Sequence, residues 1–271
     1  MSEILKIITR FIHQSVVEVG SVLLFVFKVI KTAATTRGNL RPIVQQISYV
    51  SFRSLPTVAF AGIFVGAIMV LQFNVILVQY NAEVFLGGLN TSAVVREIGP
   101  LIISFLLAGK IGAYTAAELG TMRVTEQIDA IECLGTNPIQ YLIVPRFFGI
   151  VISSLILLLL GVMISVVGSM FVAKVLCGIN PLQFLNAIPR FTNYWTLAGS
   201  SFKSMVYGTI VASVACHRGY TASGGARGVG KAVTLSAVFI NLYIVIADYF
   251  TTDIVSTLIE LGHHWMNGGE N

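Results

Sequence analysis

The chain has 271 residues, of which 55% are hydrophobic and only 11% charged, with a mean hydropathy of +0.84. Soluble proteins carry about 25% charged residues, so this composition excludes an ordinary soluble domain and indicates an integral membrane protein. The net charge of +5 does not point to nucleic acid, because the basic residues stand mostly beside apolar runs, where they set membrane orientation.

At about 20 residues per helical span, the length suits five or six spans with short connections. Residues 1–55 form a mixed amino-terminal region. Its apolar part, 16–30, is bracketed by Glu18 and Lys28, and the uninterrupted core is too short to span. Lys6, Arg10, Lys28, Lys31, Arg37, Arg41 and Arg53 punctuate the region. That pattern predicts an interfacial helix in the cytoplasmic headgroup layer, with a ragged first span as the alternative. No small-residue cleavage site follows the first apolar run, so no signal peptide is expected.

A transmembrane body is expected over 56–260. Pro56 marks the start of the first clear span, 57–80, which is uncharged and contains Gly62-x-x-x-Gly66. That spacing lets two helix backbones approach closely. Residues 81–95 read as a polar connection with Gly87 and Gly88. The second span, 98–119, carries two rows of small residues at i, i+4: Ala108, Gly112, Ala116, Gly120 and Gly109, Ala113, Ala117. It is expected near the centre of the bundle.

The segment 121–134 changes character, with Arg123, Glu126, Asp129 and Glu132. A short helix is expected over 125–134, with Thr125 as N-cap and Gly135 just past its end. Ile128, Ile131 and Leu134 make an apolar stripe beside an acidic flank. The inner leaflet is itself negative, so this flank suits a protein partner better than lipid. The third span is 147–173. A loop with Pro181 and Pro189 occupies 174–194, and the fourth span, 195–215, carries Lys203. A Gly-rich turn over 216–231 leads to the fifth span, 232–252, with Asp248 and Asp253 near its end. Residues 261–271 read as a polar tail containing His263 and His264. The fold class is therefore all-α: about five transmembrane helices, an amino-terminal interfacial helix, and a cytoplasmic helix between the second and third spans.

With the amino terminus inside, the segments 1–56, 121–146 and 216–231 hold twelve Lys and Arg, against three (Arg96, Lys174, Arg190) outside. The positive-inside bias thus puts the helix at 125–134 in the cytoplasm and the carboxyl terminus on the far side.

Gly225-Ala-Arg-Gly-Val-Gly230-Lys231 imitates a phosphate-binding loop, but Ala232 replaces the Ser or Thr that holds magnesium. It reads as a flexible turn with basic anchors. Lys110, Glu118 and Lys203 lie at membrane depth, where charges face the protein interior or a partner and mark candidate functional sites. Arg96 and Glu97 stand at the outer end of the second span. Cys133, Cys177 and Cys216 form no disulfide framework or metal-ligand pattern. No nucleophile–base pair is readable, and no enzyme is expected.

Several motifs occur in a characteristic order: Arg53-Ser-Leu-Pro56, Leu71-Gln72, Val94-Val-Arg-Glu-Ile-Gly-Pro100, Ala108-Gly-Lys-Ile-Gly-Ala113, Ala117-Glu-Leu-Gly120, Thr125-Glu-Gln-Ile-Asp-Ala130, Asn137-Pro138, Pro145-Arg-Phe147 and Gly219-Tyr220. Together they resemble MlaE-type (YrbE-type) permeases, the membrane subunits of bacterial ABC transporters for phospholipids and related lipids. The resemblance implies a homodimer in the bacterial inner membrane, gripped by two cytoplasmic ATPase subunits and topped by a periplasmic MCE-domain protein. No cofactor of its own is implied, since ATP is bound by the partner. It implies lipid contact at Leu77, Tyr80, Arg96, Glu97 and Lys203, and ATPase coupling through Arg123, Glu126, Asp129 and Glu132. The family often has Arg where this chain has Lys110, and only Arg pairs bidentately. Two other readings stay open: a secondary transporter using Lys110, Glu118 and Asp248 as an ion relay, and an assembly scaffold without transport.

Overall fold

The computed structural model describes the backbone of residues 2–35 and 40–267, and the side chains of 17, 19–35 and 40–257. The side chains of Lys6, Arg10, Glu18 and Arg37, and those of the tail expected at 261–271, lie outside the described residues. Every regular element among the described residues is helical. The first is α1 (Ser2–Thr35), followed by α2 (Leu40–Gln79). A short turn leads to α3 (Leu86–Ala93), α4 (Gly99–Leu107) and α5 (Ala113–Val124), joined end to end through π-helical turns at Val94–Ile98 and Ala108–Gly112. Next come α6 (Gln127–Cys133), a third π turn at Ile139–Ile143, and α7 (Val144–Leu176). The chain closes with α8 (Pro181–Phe191), α9 (Tyr194–Tyr220) and α10 (Gly225–Asn267).

Contacts across the bundle fix the helix directions. Ser51 Oγ donates to Ser153 Oγ at 3.2 Å, and a Cβ added at Gly62 would come within 2.9 Å of the Gly161 carbonyl oxygen. Residue numbers rise together, so α2 and α7 run parallel. Lys203 meets Glu97 at one end of the α3–α5 run, and Gly219 meets Ala116 and Leu119 at the other, so that run is parallel to α9. Ser154 against Ser204 and Val151 against Gly208 make α7 antiparallel to α9. Tyr207 against Asp248 and Arg218 against Phe239 make α9 antiparallel to α10. The chain thus passes back and forth in alternating directions.

Four helical runs among the described residues are long and apolar enough to cross a membrane: Leu40–Gln79, Glu83–Val124, Ile139–Leu176 and Gly225–Thr257. The protein is a multi-pass α-helical membrane protein. α9 has the length, 27 residues or about 40 Å, but Lys203, His217, Arg218 and several serines dilute its apolarity.

The Gly62–Gly66 pair is where α2 meets α7. A side chain at Gly66 would collide with the Ser165 backbone and the Ser169 hydroxyl. Of the two small-residue rows in the second span, one is filled from within the chain. Gly112 faces Ile240 and Val211, and Gly120 faces Ala222 and Val229. On the other row Gly109 is exposed, with nothing near an added Cβ. The main core lies among these helices, with Leu107, Ile111, Leu119, Ile150, Leu157 and Tyr207 fully buried.

Local expectations change in five places. Pro56, expected at the start of a span, lies inside α2. Its missing N–H leaves the Phe52 carbonyl without a helical partner, but extensive packing on α7 carries the helix through. The connection expected at 81–95 contains α3, and the loop expected at 174–194 contains α8. Asn180 caps α8 by accepting from the Leu182 N–H at 2.9 Å, and Pro181 occupies a first-turn position where no N–H is needed. α3 and α8 pack on each other because Gly87 and Gly88 admit the backbones of Phe184 and Ala187. The Gly-rich turn at 216–231 is helical from Gly225, so the phosphate-loop look-alike is the first two turns of α10. Finally, Thr125 ends α5, and Glu126 is the N-cap of α6, in a left-handed conformation with φ 61°.

Candidate functional site

The π turn Val94–Ile98 places one extra residue in a helical turn, a device that re-aims side chains and recurs at functional sites. Arg96 points outward and is exposed, while Glu97 turns toward α9. Lys203 lies there, only 1% exposed. An ammonium group has three N–H bonds to place, and all three are taken. Lys203 Nζ donates to Glu97 Oε2 at 2.6 Å, Thr252 Oγ1 at 2.7 Å and the Arg96 carbonyl at 3.2 Å. Asp248 Oδ1 stands 3.8 Å away as a second counter-charge. The Tyr207 hydroxyl donates to Asp248 Oδ1 at 2.6 Å and lies 3.0 Å from Thr251 Oγ1. Thr252 Oγ1 reaches Glu97 Oε2 at 3.2 Å. The buried cation is therefore compensated by two carboxylates from two helices, and the network ties the π turn to α9 and α10.

Of the residues singled out for lipid contact, the structure brings Glu97 and Lys203 together with the Arg96 backbone. It does not bring Leu77 or Tyr80 to them. Leu77 is buried in a separate apolar cluster with Val70, Leu86, Ala173, Ile179 and Phe184. Tyr80 is 74% exposed. Tyr207, Thr251 and Thr252 belong to the network but were not anticipated. Their signal was present: Tyr207 stands four residues after Lys203, and Thr252 four after Asp248, so each pair shares a helix face.

The other charged residues at membrane depth are also paired within the chain. Lys110 sits in the second π turn and donates to the Arg53 carbonyl at 2.5 Å and to Thr57 Oγ1 at 3.1 Å. Glu118 and Arg146 form a bidentate pair, at 3.1 Å and 3.3 Å. Lys110, Glu118 and Asp248 thus have separate partners and form no continuous relay. Arg53 lies over the rings of Tyr49 and Tyr114, 5.3 Å and 5.1 Å from their centroids.

At the opposite end, α6 turns away from α5 at Glu126. Ile128 is fully buried and Ile131 packs on the core, but Leu134 is 83% exposed, so the expected apolar stripe is anchored at only two of its three positions. Gly135, at φ 75°, ends the helix in a left-handed turn, with the Gly135 N–H on the Glu132 carbonyl and the Thr136 N–H on the Ile131 carbonyl. Asp129 is paired with Arg123, whose guanidinium lies 6.0 Å from the Tyr220 ring. Glu126 and Glu132 are exposed. Behind this end, the His217 ring meets Phe25 of α1 edge-on at 5.4 Å. Burial, and then the adjacent Arg218 charge, push the His217 pKa below its ordinary value.

Residues 43–254 match the family described as Permease MlaE. The chain belongs to the MlaE permease family. It is 36% identical over 214 residues to a probable ABC transporter permease protein of Synechocystis, covering 79% of this chain and 81% of that protein. A probable ABC transporter permease protein of Rickettsia conorii is 34% identical over 236 residues, covering 87% and 91%. The Arabidopsis thaliana chloroplastic protein named trigalactosyldiacylglycerol 1 is 32% identical over 209 residues, covering 77% of this chain and 60% of that protein. In this MlaE-family permease the matched region begins within α2, takes in every element from there to α9, and ends inside α10.

Proposed function

We propose that this chain is the membrane subunit of an ATP-driven lipid transporter. It would work as a homodimer in a bacterial inner membrane and move phospholipid or a related lipid to or from a periplasmic MCE-domain protein. With the Lys- and Arg-rich side inside, five alternating passes, α9 being the fourth, would set the Lys203 network on the periplasmic side and α6 in the cytoplasm. ATP hydrolysis belongs to a separate cytoplasmic subunit that grips α6. The relative named for a galactolipid supports a lipid cargo.

The observation that carries this reading is the buried Lys203, held by Glu97, Thr252 and Asp248 at one end of the bundle. A charge this deep is retained for a function or a switch more readily than for stability. Because Lys203 has no free N–H, the exposed Arg96 is the cation that meets an anionic headgroup. Glu97 and Lys203 hold the π turn that presents it. ATP-driven motion at α6 would shift α5 and, through it, the continuous helical run that ends at this turn.

The test is ATP-dependent movement of a fluorescent phospholipid out of liposomes holding the permease and its ATPase. Arg96→Ala is expected to abolish movement while ATPase binding persists. Movement at the wild-type rate would remove Arg96 from the lipid path. Charge reversal at Glu126, Asp129 and Glu132 is expected to release the ATPase from an inserted permease. Unchanged co-purification would sink α6 as the coupling element.

A further inference from the structure

An apolar space opens far from the Lys203 network. A groove of roughly 530 Å³ lies between the end of α1, the start of α2, and the third π turn with the first turns of α7. Its walls include Thr32, Ala33, Ile43, Val144, Phe148 and Ile152, with Thr136 and Gln140 as polar groups at one side. The volume falls in the range of about 300–1,000 Å³ usual for small-molecule clefts. No charged residue lines it.

The charges beside its α1 and α2 walls are all of one sign, and the nearest acid along the chain on the α7 side, Glu132, precedes Thr136 by four residues. From residue 19 to residue 82 the sequence contains no Asp or Glu, and from 133 to 247 it again contains none. Both walls of the groove fall inside these acid-free stretches. Lys31 adjoins Thr32, and Lys28, four residues before Thr32, shares its face of α1. Both lysines are exposed. Arg41 stands between the lining residues Leu40 and Pro42. An apolar slot with a cationic rim on its α1 and α2 side matches a molecule with a hydrocarbon tail and an anionic head. A helix of a partner protein would find no basis here for its charged face other than acid.

We infer that this groove holds one acyl chain of an anionic phospholipid, its headgroup seated against Lys28, Lys31 and Arg41. The site is distinct from the lipid path of the proposed transport and does not depend on it. The bound lipid would wedge α1 against the segment that joins α6 to α7, since Thr136 and Gln140 belong to that segment. It would thereby hold the cytoplasmic helix in place from behind.

The experiment uses the purified full-length permease, delipidated in detergent and offered an equal mixture of phosphatidylglycerol and phosphatidylcholine with the same acyl chains. Bound lipids are counted by native mass spectrometry, which needs neither ATPase nor transport. The wild type is expected to retain phosphatidylglycerol in preference. Each cation near a lipid headgroup is worth about five-fold, so Lys28→Glu with Lys31→Glu should erase the preference. Both lysines are exposed, so this variant keeps its fold. Ala33→Trp, which fills the slot, should lose the tightest-bound lipid. Equal retention of the two lipids by the wild type would overturn the proposal, as would an unchanged preference in the charge-reversed variant. The same lipid count in Ala33→Trp would overturn it in favour of a groove already covered by a second copy of the chain.

Discussion

The two ends of the bundle each carry a cation–carboxylate pair, and the pairs differ in almost every physical respect. At one end Lys203 is sealed from solvent and bonded to groups from the π turn and α10, more than 40 residues away in sequence on either side. At the other, Arg123 and Asp129 are six residues apart, with side chains 37% and 49% exposed. A buried cation with every donor satisfied locks helices together, because losing its partners strands it desolvated, although the Glu97 side chain itself is 40% exposed. An exposed pair gains little, because water and salt compete for both partners. The same chemistry thus makes a structural clamp at one end and leaves an adaptable surface at the other, as the proposed coupling role of α6 requires.

The contrast breaks most sharply at Lys203. Lys203→Ala empties a buried site and strips Asp248 and the partly exposed Glu97 of their cation, and a stability loss of about 3 kcal/mol is expected in thermal or denaturant unfolding of the purified protein. A loss below about 1 kcal/mol would mean that water reaches the network. Gly66→Leu should come next, at about 1–3 kcal/mol or more, because the new side chain strikes the α7 backbone and cannot move aside. Arg123→Ala should cost no more than about 1 kcal/mol. A larger loss would show that Arg123 of α5, between Asp129 and the Tyr220 ring, fastens α6 to α9.

The smallest effect concerns His217. Its pKa is lowered in the folded chain, so the unfolded chain binds more protons as pH falls below the ordinary histidine value. Stability should therefore decline as pH falls through that range, and His217→Gln should flatten the decline. An identical pH profile for the two proteins, read by thermal unfolding between pH 7.5 and 5.5, would count against burial of the neutral ring.

Much was decided along the chain itself. Hydropathy and length set the membrane class, because roughly 20 apolar residues in a row have no other stable solvent. Gly135 marked the end of α6, since a left-handed turn there suits glycine. Motif order marked the family. Charge at depth marked Lys203, because each ion in an apolar layer demands a partner, and Glu97, at the outer end of the second span, is one of its partners. Tertiary packing decided the rest. Pro56 lies within a helix that packs on α7 to either side of it, at Ser51 and at Gly62. Gly87 and Gly88 build a helix instead of a loop only because α8 closes on them. Which acid meets Lys203, and that Tyr207 and Thr252 join it, depends on how three separated helices are set side by side. That arrangement is non-local, and no window along the sequence contains it.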